Sequence, residues 1–131
     1  MAESIIIHFN LSNRSEIIDC LNRNFDRHKE SCWYHPSEDY LVMIVPYEHY
    51  EVEYEDEEKK VIREKLMAEP NASFEFEIRR SKSDEACDLI EKFIRRKLSD
   101  FDFVVDDMNH VYSKEELLEV SNFLDIYRYK K

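Results

Sequence analysis

Ser73-Phe74-Glu75-Phe76-Glu77-Ile78-Arg79 alternates apolar and charged side chains without a break, a period of two that marks a strand with one face on a core. Phe74, Phe76 and Ile78 point one way; Glu75, Glu77 and Arg79 point the other and are expected to meet solvent. Ser81 and Ser83 then offer helix caps ahead of Ala86, Leu89, Ile90, Phe93, Ile94 and Leu98. These six form one helical stripe opposite Asp88, Lys92, Arg95 and Arg96. The unit is a strand followed by an amphipathic helix.

The same layout opens the chain. Ser4 to Phe9 is β-rich, Asn10 to Ser15 supplies cap-type residues, and Ile17, Ile18, Leu21 and Phe25 make a second stripe. An ancient duplication would explain the likeness, and so would convergence on one workable pattern, which is preferred because no repeat period emerges. Between the two units, His28 to Asp39 is polar and aromatic, and Tyr40 to Val45 is continuously apolar, as in a strand covered on both faces and ended by Pro46. A helix is predicted from about Glu55 to Met67, with Val61, Ile62 and Leu66 inward and Pro70-Asn71 closing it.

Phe101 to Asp106 reads as a further strand. Ser113 and Glu116 have capping-box spacing ahead of Leu117, Leu118, Val120 and Leu124, and the tail Ile126-Tyr127-Arg128-Tyr129 is aromatic enough to pack back or add a short edge strand. The pattern predicts a single domain over residues 1–131. Its class is α+β: a mixed four- to five-stranded sheet packed with three to four helices in two or three layers.

Composition removes several kinds of chemistry. The 131 residues include no glycine, where average usage gives about nine. Phosphate-cradling loops, dinucleotide fingerprints and the nucleophile elbow depend on glycine and are excluded in their usual form. A formal charge of −11 opposes nucleic acid and anionic membranes and favours a basic partner. The first residues carry no basic n-region, and the aliphatic run Leu41 to Val45 is far too short to cross a bilayer, so a cytoplasmic protein is expected. Cys20, Cys32 and Cys87 fit reduced thiols, with Cys20 and Cys87 as small buried or half-buried side chains on helices.

Three groups of residues could carry chemistry. His28, Cys32 and His35 offer nitrogen and sulfur donors to zinc but have no evident fourth ligand; Cys32 and His35 as nucleophile and base lack an orienting residue and an oxyanion hole. Asp106 and Asp107 end a strand, with Asn109 and His110 following. A metal-dependent enzyme or metal protein using Asp106, Asp107 and His110 is the rival reading, against ordinary turn residues.

The third group is the most biased stretch, Tyr47 to Glu58. Tyr50, Val52 and Tyr54 alternate with Glu51, Glu53 and Glu55 as a strand would, yet the carboxylates from Glu55 onward also suit a helix N-terminus. As a surface, carboxylates steer a basic partner and tyrosines give contact area at small entropic cost. The candidate partner-binding residues are therefore Tyr47, Glu48, Tyr50, Glu51, Glu53, Tyr54 and Glu55. No enzyme activity, metal or cofactor is expected.

The run Pro70-Asn71-Ala72-Ser73-Phe74-Glu75-Phe76-Glu77-Ile78-Arg79-Arg80-Ser81, with Phe103-Val104-Val105-Asp106-Asp107 and Tyr112-Ser113-Lys114-Glu115-Glu116-Leu117, makes Glu69 to Leu118 resemble bacterial immunity proteins of polymorphic-toxin and contact-dependent-inhibition systems. The resemblance implies a protein that binds a cognate toxin, often a basic nuclease, and blocks it without turnover. It assigns no contact residue, because such proteins vary most where they bind. A further alternative is a homodimeric interaction or scaffold domain joined through Tyr127 and Tyr129; the chain is expected to be a monomer or a homodimer.

Overall fold

The computed structural model describes residues 3–29, 32–35, 41–108 and 110–119. Its strands are β1 (Glu3–Asn10), β2 (Asp26–Lys29), β3 (Cys32–His35), β4 (Val42–Pro46), β5 (Ala72–Ile78), β6 (Asp102–Asp106) and β7 (Val111–Ser113). Its helices are α1 (Arg14–Asn24), α2 (Tyr50–Glu53), α3 (Asp56–Leu66), α4 (Ser83–Lys97) and α5 (Lys114–Glu119). The class is α+β as expected, but the described residues form one seven-stranded sheet with five α-helices, where four to five strands and three to four helices were predicted.

The strand order is β2-β3-β4-β5-β1-β6-β7, and every neighbouring pair is antiparallel rather than mixed. The additional strands are short. β2 is Asp26-Arg27-His28-Lys29, an edge strand whose charges hide its period and discourage pairing with another chain. β3 lies inside the segment that reads as a polar connection, and its Trp33 is wholly buried. β7 has only three residues and merges in sequence with the lead-in to α5.

The two faces of the sheet carry different cores. Ile5, Ile7 and Phe9 of β1 pack with Phe74, Phe76 and Ile78 of β5 beneath the apolar stripes of α1 and α4, including Ile17, Leu21, Ile90 and Ile94. Each such side chain contributes about 1.5–3 kcal/mol by leaving water. Cys20 and Cys87 are buried here as expected, and all three cysteines are free thiols. On the opposite face a smaller core joins Val104 to Tyr50, Tyr54, Ile62 and Leu66, so helices cover both faces.

Several local expectations change. The charged face of β5 is not open to solvent: Ser73 is buried and Glu75 and Glu77 are half-buried, and burial, with Glu75 nearby, raises the Glu77 carboxyl. β4 is fully buried on one face only, through Val42 and Ile44. Val61 is exposed, because Ile62 and Leu66, one turn apart, define the inward side of α3. α4 is entered through a 3-10 turn, Arg80–Lys82, with Lys82 rather than a serine at the cap. The predicted box at α5 does form: the Glu116 N–H donates to Ser113 Oγ at 3.2 Å and the Ser113 N–H to Glu116 Oε1 at 3.0 Å. Val120, Leu124 and the tail 126–129 lie outside the described residues.

Absence of glycine leaves a mark at Met67, which closes α3 in the left-handed region at φ 63° with an exposed side chain. A side chain there costs about 1–2 kcal/mol of backbone strain that glycine does not bear. Met67→Gly is therefore expected to raise stability by about 1 kcal/mol. Met67→Ala, which keeps the Cβ, should leave the urea midpoint nearly unchanged.

Candidate functional site

The segment after β4 turns the acidic tyrosine stretch into a helical corner. The N–H groups of Val52 and Glu53 donate to the His49 carbonyl, and that of Tyr54 to Tyr50. An i, i+2, i+4 pattern also contains an i, i+4 pair, and the helix uses that pair: Tyr50 and Tyr54 turn onto the sheet with ring centroids 5.3 Å apart. Val52, between them, is 85% exposed. α3 then starts with the Glu55 N–H donating to the Glu58 carboxylate.

The predicted partner-binding residues are thus divided. Glu48, Glu51, Glu53 and Glu55 are exposed, Tyr47 is half-buried, and Tyr50 and Tyr54 are buried. The rings of Tyr50 and Tyr54 do not provide the outward contact area expected of them; the small second core takes them instead. Lys59 pairs with Glu51 at 3.2 Å and lies 5.6 Å from the Tyr50 ring centroid. Burial, with Glu69 nearby, pushes the Tyr50 hydroxyl up to about 12, and the Arg63 guanidinium opposes the shift.

Beneath α2 lies a chain of four buried polar side chains. Register places His8 of β1 beside Ser73 of β5 and Val104 of β6, and places Ile6 beside Glu75 and Asp106. His8 Nδ1 is 2.7 Å from Ser73 Oγ, His8 Nε2 is 3.0 Å from the Tyr54 hydroxyl, and that hydroxyl donates to Asp106 Oδ2 at 2.5 Å. Tyr54 has one proton to give. Once Asp106 receives it, the phenol oxygen accepts from His8 Nε2–H, which leaves Nδ1 to accept from Ser73. The rings of Tyr47, Tyr50 and Tyr54 all stand edge-on to the imidazole.

This setting fixes protonation states. Burial lowers His8 to about 4, so it is neutral at pH 7. Burial and the Asp106 carboxylate both raise Tyr54 far above the ordinary phenol. Asp106 is itself raised, chiefly by burial, although the bonds from Tyr54 and the Met108 N–H oppose the shift. Ser73 and His8 have the geometry of a nucleophile and its base. Nearby donors are already engaged, however: the Tyr47 N–H serves the Ser73 carbonyl, and the Asn71 amide serves Leu11. The Tyr47 N–H is therefore not left for an oxyanion.

The relay ends at an open cleft of about 480 Å³. Ile6 and Asp106 come from the sheet, Tyr47, His49, Glu53 and Tyr54 from the corner, Glu58 from α3, Glu75 from β5, and Met108 from the loop after β6. Among the described residues four carboxylates line it, and no lysine or arginine does. Tyr47 donates to Glu53 Oε1 at 2.5 Å, tying the corner across the opening.

The residues of the metal reading take separate roles. Asp106 Oδ1 accepts the Met108 N–H, Asp107 Oδ1 accepts the His110 N–H, and the His110 imidazole reaches Glu116 Oε2 at 2.8 Å. Glu116 also accepts from Lys65; burial alone would raise its carboxyl, but these donors hold it at about 2. Asp106 and Asp107 therefore serve a turn, and no three His, Cys, Asp or Glu among the described residues are grouped to hold a metal ion. Cys32 sits half-buried on β3, while the side chains of His28 and His35, like Asn109, lie outside the described residues.

Compared with known proteins, the chain matches no family model, no curated protein and no solved structure. The site is therefore read from its own residues. His8, Ser73 and Glu75 escape the sequence reading, and only His8 leaves a signal there: a histidine inside the apolar run Ile5-Ile6-Ile7-His8-Phe9. Such a residue, covered on both sides, must find hydrogen-bonding partners.

Proposed function

We propose that this chain is a non-enzymatic, cytoplasmic binding protein that neutralises a basic protein partner, as an immunity protein neutralises a toxin. The observation that carries the reading is the cleft beside α2, whose carboxylates Glu53, Glu58, Glu75 and Asp106 have no lysine or arginine among them in the described residues. Glu48, Glu51 and Glu55 are exposed on the same segment as the corner residues, Glu51 paired with Lys59, and Val52 is an exposed apolar side chain next to Glu53 in sequence. Tyr50 and Tyr54 act from below by holding the corner to the sheet. The formal charge of −11 and the resemblance of Glu69 to Leu118 to immunity proteins agree with this reading.

Charges at a rim govern encounter more than residence, so the test reads association rate against salt. The product of the gene immediately upstream is the probe, titrated into this chain at two ionic strengths. A 1:1 complex is expected, and changing Glu51, Glu53 and Glu55 together to Gln should slow association about tenfold at low salt and flatten the salt dependence. No complex, or a rate unmoved by the triple change, would count against the reading.

A further inference from the structure

Asp106 is 7% exposed and forms no ion pair among the described residues. Tyr54 and the Met108 N–H occupy one position on each of its oxygens, and a carboxylate offers about four acceptor positions. The charges closest in effect are Asp107 and Glu58, both of its own sign. A buried carboxylate in such company must either take up a proton or receive a cation.

The surroundings suit a cation of a particular kind. Tyr47 and Tyr54 pack edge to face, 6.1 Å apart at 84°, and His49 packs the same way on Tyr47 at 5.6 Å and 86°, so a cluster of aromatic rings forms part of the lining. Ring faces attract cations and stack on flat ones. Glu53 keeps its second oxygen free of the Tyr47 hydroxyl, and Glu75 adds a carboxylate from the neighbouring strand. A guanidinium fits better than an ammonium: it is planar, less strongly hydrated, and presents five donors in a fork that carboxylates on two sides can accept.

We propose that this cleft receives the guanidinium of an arginine side chain, which the basic partner lays beside the packed Tyr47–Tyr54 pair to reach Asp106. The inference rests on the docking reading and narrows it to one anchoring side chain.

The test uses small probes on the whole chain: acetyl-arginine amide, its neutral isostere acetyl-citrulline amide, and acetyl-lysine amide, followed by NMR shifts of the Tyr47 and Tyr54 rings and the Met108 methyl. Saturable shifts are expected with the arginine compound, with citrulline and lysine at least tenfold weaker. Asp106→Asn should abolish them. Because that change could disturb the fold through Tyr54, Glu75→Gln serves as a second variant and should weaken the arginine compound several-fold. Absence of saturation, or equal binding of citrulline or lysine, would overturn the inference. If the arginine probe fails while salt-sensitive binding to the upstream gene product persists, the docking face stands without this anchor. If the probe binds and the protein does not, the docking reading falls and the cation site remains.

Discussion

Tyr54→Phe is expected to destabilise the protein by about 3–5 kcal/mol, far more than the loss of one hydroxyl would suggest. That oxygen stands at the middle of the relay, accepting from His8 Nε2–H and donating to Asp106. Phenylalanine fills the same space and leaves two buried atoms, His8 Nε2 and Asp106 Oδ2, without their partner. Each unsatisfied buried group costs about 1–3 kcal/mol, and more when it is charged, as Asp106 is whenever it has not taken up a proton. The comparison is Tyr47→Phe, whose hydroxyl donates to exposed Glu53 and which should lose under about 1 kcal/mol. Urea unfolding of both variants at pH 7 gives the contrast. Equal losses would mean that the four side chains do not act as a unit. A cycle adding Asp106→Asn extends the test, because removing the stranded charge from the Tyr54→Phe background should recover part of the loss.

Why this network was invisible before the fold was known follows from its parts. The strand Ser73 to Ile78 and the helices with apolar stripes were legible because a period of two or of three to four repeats often enough to exclude the other. Tyr50, Val52 and Tyr54 gave too few repeats to separate strand from helix; Val52 decides, and only its exposure settles it. Ser73 reads as a polar residue at a strand start, and Asp106 as a turn residue. What makes them a site is the pairing of β1 with both β5 and β6, which sets His8 between them, and chain order contains no trace of that arrangement. The acidic character of the surface was legible from composition. Its concentration around a cleft depended on Glu75 and Asp106, which belong to strands far apart in sequence. β2 and β7 were missed for a different reason: edge strands of three or four residues owe their form to a neighbour rather than to their own pattern.

Acid should weaken the fold through His8, with a loss of about 3 kcal/mol as pH falls from 6.5 to 4. The unfolded chain carries an ordinary histidine with a pKa of 6.5, whereas burial holds the folded one at about 4. Between those values the unfolded state binds the proton and the folded state does not. The contribution is therefore fully present above pH 6.5 and is lost progressively down to the folded pKa, below which it changes no further. Asp106 and Glu77, raised by burial, work in the opposite direction: their folded forms take up protons first, so acid favours the fold through them. The raw stability curve is consequently shallower than His8 alone would make it. His8→Gln isolates the term, since both carboxylates remain in the variant. The variant should be the less stable protein at pH 7, having lost part of the relay, and the gap should close by about 3 kcal/mol on going to pH 4. Parallel curves would place the titration elsewhere. A closing gap would show that the imidazole stays neutral in the fold because burial penalises its charged form: Ser73 can rotate its proton away from Nδ1, but no carboxylate among the described residues contacts the ring to offset that cost.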